Sequence, residues 1–224
     1  MLFSVIFVPG VLLGSLFLAV LLNRRIPGIG FFRAMYFLPW ITTMVAAAFA
    51  WRWILATRFG ILNSVLRSVF GVSDPPAWLS DSVWALPALA FVAIWKTMGF
   101  QMIIFLAGLQ SIPKELYEAA AVDGASRFRQ FIHVTLPGLA PVGFFVFIIT
   151  LIDSFKTFEV TFALTGGGPN NETETLAFSI YKNAFNFGRM GYASAQAVVL
   201  VVAVGALGWL SFWWQRRSFG NVDA

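Results

Sequence analysis

Five long apolar stretches, separated by polar segments, dominate the pattern of residues along the chain. Each stretch is about 20 residues long, the length that an α-helix needs to cross the hydrocarbon core of a bilayer. The pattern therefore predicts an all-α, polytopic membrane helix bundle that forms one transmembrane domain over residues 1–224. The predicted spans cover about 2–22, 34–55, 84–109, 139–158 and 193–214.

The composition supports a membrane protein and excludes several kinds of chemistry. Hydrophobic residues make up 59% of the chain and charged residues 11%, whereas soluble proteins carry about 25% charged residues. The chain has no cysteine, so disulfides, thiolate metal sites and cysteine nucleophiles are excluded. The single histidine, His133, lacks the neighbours that a metal site needs, and no metal site is predicted.

The basic residues predict how the chain crosses the membrane. One alternating set of loops holds twice as many Lys and Arg residues as the other, and such an excess marks the cytoplasmic side. The N-terminus is therefore predicted outside and the C-terminus in the cytoplasm. Because these residues flank apolar stretches, the net charge of +5 indicates topology, and no nucleic-acid partner is expected. The richer set holds Arg24, Arg25, Arg33, Lys114, Arg127, Arg129, Arg216 and Arg217, and the poorer set holds Arg58, Arg67, Lys182 and Arg189.

The polar interruption at residues 111–138, the signature segment, predicts two short helices on the cytoplasmic face. Ala119–Ala121 favour a helix, and Gly124 can adopt the left-handed conformation that ends one. A second helix is predicted to reach His133, and Pro137 is expected to break the chain before the fourth span. Two interpretations fit these residues equally: a docking surface for another protein, or an amphipathic helix lying on lipid headgroups.

The same segment carries a family resemblance. It matches the "EAA…G…I.LP" signature of the membrane subunits of bacterial binding-protein-dependent ABC importers through Glu118, Ala119, Ala120, Gly124, Ile132, Leu136 and Pro137. The blocks "FFRAMYFLPW", "FLAGLQSIPKELYEAAAVDGAS" and "LTGGGPNNETETL" resemble the carbohydrate branch, which includes the maltose and glycerol-3-phosphate permease subunits. Relatives in this branch usually carry one more N-terminal span, so an upstream span is expected.

The resemblance implies a type I ABC importer permease of the bacterial cytoplasmic membrane. Such a subunit moves a sugar or sugar derivative by alternating access and is not an enzyme. The implied partners are a second, homologous permease subunit, a cytoplasmic ABC ATPase dimer and an extracytoplasmic solute-binding protein. ATP and Mg would bind the ATPase, and this chain would bind no cofactor. The residues expected to couple to the ATPase are Glu118, Ala119, Ala120, Asp123, Gly124 and Arg127.

Polar residues inside two predicted spans are candidates for cargo binding, because polar groups are costly in lipid and default to a functional hypothesis. They occur in "WKTMGFQ" and "TLIDSFKTFE", where hydroxyl, amide and charged groups could bind sugar hydroxyls and Phe100 could stack on a sugar ring. In the maltose-type relatives the corresponding stretches line the substrate chamber. The candidates are Lys96, Thr97, Phe100, Gln101, Thr150, Asp153, Ser154 and Thr157.

Structural interpretations of these residues remain open. Ser and Thr in membrane helices commonly bond to their own backbone or to a neighbouring helix. Lys96 and Asp153 could pair with each other or with the partner subunit. The glycine cluster at residues 165–170 lacks the lysine of a phosphate-binding loop and predicts a flexible turn.

Two other functions are weaker alternatives. An ion-gradient-driven secondary transporter often shows paired halves and buried acids, but the sequence has no evident internal repeat and only Asp153 as a plausible buried ion ligand. An intramembrane enzyme would need a nucleophile with a base, or a metal cluster, and one histidine without cysteine leaves few candidates.

Overall fold

The structure, a computed structural model, describes residues 2–24 and 27–219, without the side chains of 212 and 214–219. All regular structure in this part of the chain is helical. Arg25 and the side chains of Arg216 and Arg217, which belong to the predicted cytoplasmic set, lie outside the described residues.

The described chain forms eleven α-helices and two π-helical turns. In chain order the helices are α1 (Leu2–Leu22), α2 (Ile29–Ile41), α3 (Met44–Ile54), α4 (Ile61–Ser68), α5 (Ala85–Ser111), α6 (Lys114–Val122), α7 (Arg127–Gln130), α8 (Leu136–Lys156), α9 (Glu159–Leu164), α10 (Leu176–Tyr181) and α11 (Met190–Phe219). The π-helical turns are Phe131–Thr135 and Lys182–Asn186.

Four of these helical stretches are long and apolar enough to cross a membrane, and a bent pair makes a fifth candidate. The four are Leu2–Leu22, Ala85–Ser111, Arg127–Lys156 and Met190–Ser211. The pair is α2 with α3. The predicted all-α membrane bundle is therefore confirmed, and the first, third and fifth predicted spans begin and end within a few residues of the observed helices.

The second predicted span is not one straight helix. The prediction ran over 34–55, whereas the structure has α2 and α3 bent by 99° at residues 42–43. The Thr42 side chain donates to the Pro39 carbonyl at 2.7 Å, and the Thr43 hydroxyl caps α3 by accepting from the Ala46 amide. Because Ser and Thr side chains can replace backbone hydrogen bonds, the two threonines favour a new helix start over continuation.

The predicted break at Pro137 does not occur either. Residues Arg127–Lys156 form one continuous rod of 30 residues, which includes α7, the first π-helical turn and α8. The Leu136 amide donates to the Phe131 carbonyl, five residues back, so the helix widens by one residue immediately before the proline. The extra residue shifts the backbone hydrogen-bond partners by one position. Pro137, which has no N–H to donate, therefore does not interrupt the helix.

Helix α5 lies at the centre of the bundle and contacts α1, α2 and α8. It runs parallel to α1, because Gly10 faces Ile94 and Gly14 faces Met98. It runs antiparallel to α8, where Gly108 faces Val142, and to α2, where Gly99 lies against the Tyr36 backbone. Small residues at these crossings allow the close approach on which helix packing in lipid relies.

Two apolar clusters fill the space around the α1–α5 pair. One surrounds the N-terminal halves of both helices and includes Phe7 and Leu89. The other surrounds their C-terminal halves and includes Leu18, Met102 and Leu139. Outside these clusters the helices are largely open: only 6% of the Met190–Ser211 stretch is buried, as expected for a helix that faces lipid or a partner.

We expect Gly99→Ala to destabilise the protein, because a methyl group at this position would overlap the Tyr36 carbonyl. Overpacking of this kind costs about 1–3 kcal/mol. The measurement is the free energy of unfolding of the purified protein in mixed detergent micelles. Gly205→Ala is the matched control, because nothing lies within 4 Å of the added methyl group there. Equal effects of the two substitutions would contradict the close α2–α5 crossing.

Candidate functional site

The bend in the signature segment is built as a glycine-terminated helix end. Gly124 has a φ of +76°. The Gly124 amide donates to the Ala121 carbonyl at 3.0 Å, and the Ala125 amide donates to the Ala120 carbonyl at 2.9 Å. These two bonds form a Schellman motif, which satisfies carbonyls at the end of a helix and favours glycine at this position. The predicted role of Gly124 in ending α6 therefore has a backbone explanation.

The segment beyond the bend is joined to the long rod. The Ser126 hydroxyl caps α7 by accepting from the Arg129 amide at 3.4 Å. The Tyr117 and Thr135 hydroxyls are hydrogen-bonded at 3.0 Å, and Thr135 is buried. This bond links α6 directly to the π-helical turn at residues 131–135, which is part of the rod.

Helix α6 itself has no buried residue. Val122 is 88% exposed, Phe128 72% and Leu116 52%, so apolar side chains stand beside exposed Glu118 and Arg127. The six predicted coupling residues all lie on this projecting corner, between positions 118 and 127. A mixed apolar and charged surface without internal packing is the arrangement expected of a docking surface.

A cavity of about 440 Å³ lies between α5 and the C-terminal end of α8. We call it the α5–α8 cavity. Four of the eight predicted cargo-binding residues line it: Lys96, Thr97, Asp153 and Thr157. The remaining wall consists of Phe7, Trp40, Met44, Ala93, Lys156, Phe158, Glu159 and Val160.

The charged groups of the α5–α8 cavity form no close ion pair with one another, although Lys96 is attracted to Glu159 and Asp153 to Lys156. Lys96 Nζ donates to the Trp40 carbonyl at 3.1 Å and lies 5.3 Å from the centroid of the Trp40 ring. Of the two pairings left open for Lys96 and Asp153, the one with each other does not form, because the one ion pair among the described residues joins Lys182 to Glu174. The Asp153 carboxylate makes no hydrogen bond to any described residue, so its oxygen atoms are available to a molecule in the cavity.

Two predicted residues on α5 lie away from the cavity wall. Phe100 stacks on Trp40 with a centroid distance of 4.7 Å and an interplanar angle of 12°, so this face of the ring is occupied. Gln101 is fully buried, and its amide nitrogen and oxygen have no partner among the described residues. The structure does not bring either residue to the cavity.

The two remaining residues on α8 are engaged within the bundle. Thr150 is buried and donates to the Val146 carbonyl at 2.7 Å. Ser154 donates to the Leu151 carbonyl at 2.6 Å and contacts the Ser4 hydroxyl at 2.9 Å. Both hydroxyls thus bond to their own helix, which is the structural interpretation left open above. Ser154 also borders a second, larger cavity.

Trp40 and Met44 are two of the cavity-lining residues that were not among the predicted cargo residues. They stand on either side of the α2–α3 break, so their meeting at one wall depends on a bend that the apolar pattern hides. Pro39 followed by two threonines was the available signal.

The glycine-rich loop is a turn, as predicted, but it is held by a network of threonines. The Thr165 and Thr173 hydroxyls lie 2.7 Å apart. The Thr175 hydroxyl donates to the Thr157 carbonyl at 2.6 Å, which ties the loop to the cavity wall. Lys182 pairs with Glu174 at 2.9 Å. Gly167 packs against the Phe178 ring. Specific side-chain contacts therefore hold this turn in the structure.

Comparison with known proteins identifies the family. The family described as binding-protein-dependent transport system inner membrane component matches residues 1–219. The chain belongs to this family. The prediction that it is a membrane permease component of an ABC importer, and not an enzyme, is thereby confirmed, and both alternative functions lose their support.

Curated relatives are identical to the chain at more than a third of the aligned positions. It is 36% identical over 208 residues to the probable ABC transporter permease protein YurN of Bacillus subtilis, covering 92% of this chain and 71% of the relative. It is 38% identical over 186 residues to the trehalose/maltose transport system permease protein MalF of Thermococcus litoralis, covering 83% and 62%. A third relative, the sn-glycerol-3-phosphate transport system permease protein UgpA of Agrobacterium fabrum, is 37% identical over 194 residues, covering 86% and 65%.

A solved structure supports the fold. A bacterial alginate ABC transporter in complex with an alginate-bound periplasmic protein contains a chain that is 25% identical, with a TM-score of 0.83, covering 97% of this chain and 77% of the other. The chain therefore has the fold of a type I ABC importer permease. It spans about 62–71% of the length of the curated relatives named above.

Proposed function

We propose that the chain is the transmembrane subunit of an ATP-driven importer that carries a sugar or sugar derivative across the bacterial cytoplasmic membrane. The observation that carries this proposal is one continuous rod, Arg127–Lys156. It starts within the exposed signature segment and ends at the α5–α8 cavity. A docking surface and a polar cavity at opposite ends of one rigid element suit a subunit that converts an external motion into alternating access.

The proposed partners follow from the surfaces that the chain leaves open. The projecting α6 corner suits a cytoplasmic ABC ATPase dimer, which would bind ATP and Mg, while this chain binds no cofactor. The open faces of α2 and α11 suit lipid and a second, homologous permease subunit. An extracytoplasmic solute-binding protein would deliver cargo, and the structurally similar alginate transporter was solved in complex with a periplasmic protein.

We assign the role of coupling this subunit to the ATPase to six residues of the signature segment. Gly124 sets the bend, Ala119 and Ala120 allow close approach, and Arg127 can pair with acids on the partner. Glu118 and Asp123 are exposed at the same corner and can accept from basic groups there. These are charge-assisted contacts at a surface without competing internal bonds.

Cargo contact is assigned to the α5–α8 cavity. Thr97 and Thr157 offer hydroxyls at its wall, and Asp153 offers an unpartnered carboxylate. Sugar hydroxyls both donate and accept, so a wall with both kinds of group suits them. The names of relatives cover trehalose, maltose and sn-glycerol-3-phosphate, which supports the carbohydrate class without selecting one sugar.

The proposal is tested by crosslinking, which the absence of cysteine in the chain makes specific. Ala120→Cys is combined with a single cysteine in the surface cleft of the candidate ATPase, in the assembled complex. We expect a crosslink whose yield changes when ATP is added. Gly205→Cys, on the open face of α11, is the control and should give no crosslink. Free reaction of Ala120→Cys with a water-soluble thiol reagent, with no crosslink to the ATPase, would contradict the proposal.

We expect Gly124→Val to impair ATP-driven uptake far more than Gly124→Asn. A non-glycine residue in the left-handed conformation costs about 1–2 kcal/mol, which lowers the population of the bend by a factor of about 5–30. Asn adopts this conformation more readily than a β-branched residue. Uptake is measured in proteoliposomes that contain equal amounts of each assembled complex. Equal uptake by the two variants would show that the bend does not matter for coupling.

Asp153→Asn should lower cargo uptake without affecting assembly, because it removes the charge of an unpartnered cavity carboxylate. A hydrogen bond to a charged group contributes about 1.5–3 kcal/mol, so cargo affinity should fall by about tenfold or more. Glu172→Gln is the control, since Glu172 is exposed and does not line the α5–α8 cavity. Wild-type concentration dependence of uptake in Asp153→Asn would remove Asp153 from the cargo site.

A further inference from the structure

The break between α2 and α3 leaves backbone carbonyls that need other partners. In a continuous α-helix, the carbonyls of Leu38–Ile41 would accept from amides one turn further along. The 99° bend at residues 42–43 removes that arrangement. Unsatisfied carbonyls are costly in lipid, where water cannot replace the lost bonds. The bend therefore persists only if neighbouring groups satisfy the freed backbone.

Two side chains satisfy carbonyls at this break. The Thr42 hydroxyl donates to the Pro39 carbonyl at 2.7 Å, and this bond is local to the turn. Lys96 Nζ donates to the Trp40 carbonyl at 3.1 Å. Because Lys96 lies on α5, 56 positions away in the chain, its bond fixes the end of α2 to the centre of the bundle.

The Trp40 side chain adds two more contacts with the same stretch of α5. The Lys96 ammonium lies 5.3 Å from the Trp40 ring centroid, within the range of a cation–π interaction. Phe100, one helical turn further along α5, stacks on the ring at 4.7 Å. Between them, Gly99 admits the Tyr36 backbone. Helix α5 therefore holds the last turn of α2 at two points, the backbone of that turn and the Trp40 ring.

We propose that Lys96 is a positioning residue that clamps a hinge at residues 41–44. The clamp holds Trp40 and Met44, on the two sides of the break, at the wall of the α5–α8 cavity. Lys96 thus acts on cargo through the shape of the wall rather than as a direct ligand. The relevance of the hinge to transport rests on the cargo site proposed above, whereas the clamp itself does not.

We expect the segment to have two shapes, one with the Lys96 bond and one without it. With the Lys96 bond in place, α2 and α3 stay bent. Without it, the Trp40 carbonyl loses its partner, and straightening of the segment becomes the available way to satisfy it. Because the Lys96 ammonium bonds the Trp40 carbonyl at the cavity wall, loss of this bond would change both the angle of the hinge and the shape of that wall.

The experiment measures the hinge directly with two spin labels. Phe31→Cys and Trp53→Cys place one label on each helix, at side chains that are 70% and 56% exposed. At 1.5 Å per residue, the two Cα atoms would be about 33 Å apart in a straight helix and about 21 Å apart at the observed bend. Electron–electron distance distributions are recorded on the assembled complex in lipid nanodiscs.

We expect the unsubstituted hinge to give a distribution near the shorter distance. Lys96→Met, which keeps the length of the side chain but removes its donors, should add a population several ångströms longer. Lys96→Arg retains a donor and should preserve the wild-type distribution. Lys156→Met is the matched control: Lys156 lines the same cavity but makes no hydrogen bond or ion pair with a described residue, so its loss should leave the distance unchanged.

A wild-type distribution in Lys96→Met, or an equal shift in Lys156→Met, would overturn the clamp. If Lys96→Met does not assemble, Phe100→Leu provides a second test, since it removes only the stacking contact and should broaden the distribution partially. No broadening in Phe100→Leu would then refute the proposal. Cargo uptake is measured on the same complexes reconstituted in proteoliposomes. A hinge shift in Lys96→Met, together with no transport of any sugar by the unsubstituted complex, would refute the cargo site and leave the clamp standing.

Discussion

Close backbone contact at a few glycines is the constraint on which this bundle depends. Lipid tails are as apolar as the helix surfaces, so burial from lipid gives little driving force for association. What remains is the fit between helices, and α5 supplies it at Gly99 and Gly108 while α1 contributes Gly10. A larger residue at Gly99 or Gly108 would separate α5 from α2 or α8. The cavity, the broken helix and the rod all take their positions from α5.

The same solvent decides how polar side chains are used. Several hydroxyls bond to a carbonyl of their own helix, as Thr150 and Ser154 do. Where the backbone is interrupted, side chains from elsewhere replace the missing amides, as Lys96 does for Trp40. Asp153 is the contrasting case, because its carboxylate has no hydrogen bond among the described residues. A polar side chain that bonds to a backbone carbonyl therefore has a structural role, whereas one without such a bond is free to bind another molecule.

The sequence predicted the spans well where one apolar stretch corresponds to one helix. The span at 84–109 became Ala85–Ser111, and that at 2–22 was observed with the same limits. The prediction was wrong at 34–55 and at Pro137, where threonine caps and a π-helical turn decide the path of the backbone. Neither the threonine caps nor the π-helical turn changes the pattern of apolar residues, so hydropathy cannot predict them.

The candidate site was predictable to a similar degree. The signature segment could be located because its function is encoded in a contiguous stretch with a glycine at a fixed place. Half of the cargo candidates reached the cavity, because two helices were correctly chosen but their rotations were unknown. Trp40 and its bond to Lys96 could not be foreseen, since they join positions 56 residues apart across a bend that the pattern does not show.

The long rod gives the molecule a mechanical property. At 1.5 Å per residue, the 30 residues from Arg127 to Lys156 extend about 45 Å. A stiff lever of that length turns a tilt of about 5° at one end into a displacement of about 4 Å at the other. A tilt of the rod at the α6 corner would thus move Asp153 by more than the length of a hydrogen bond, without any change in the helix itself.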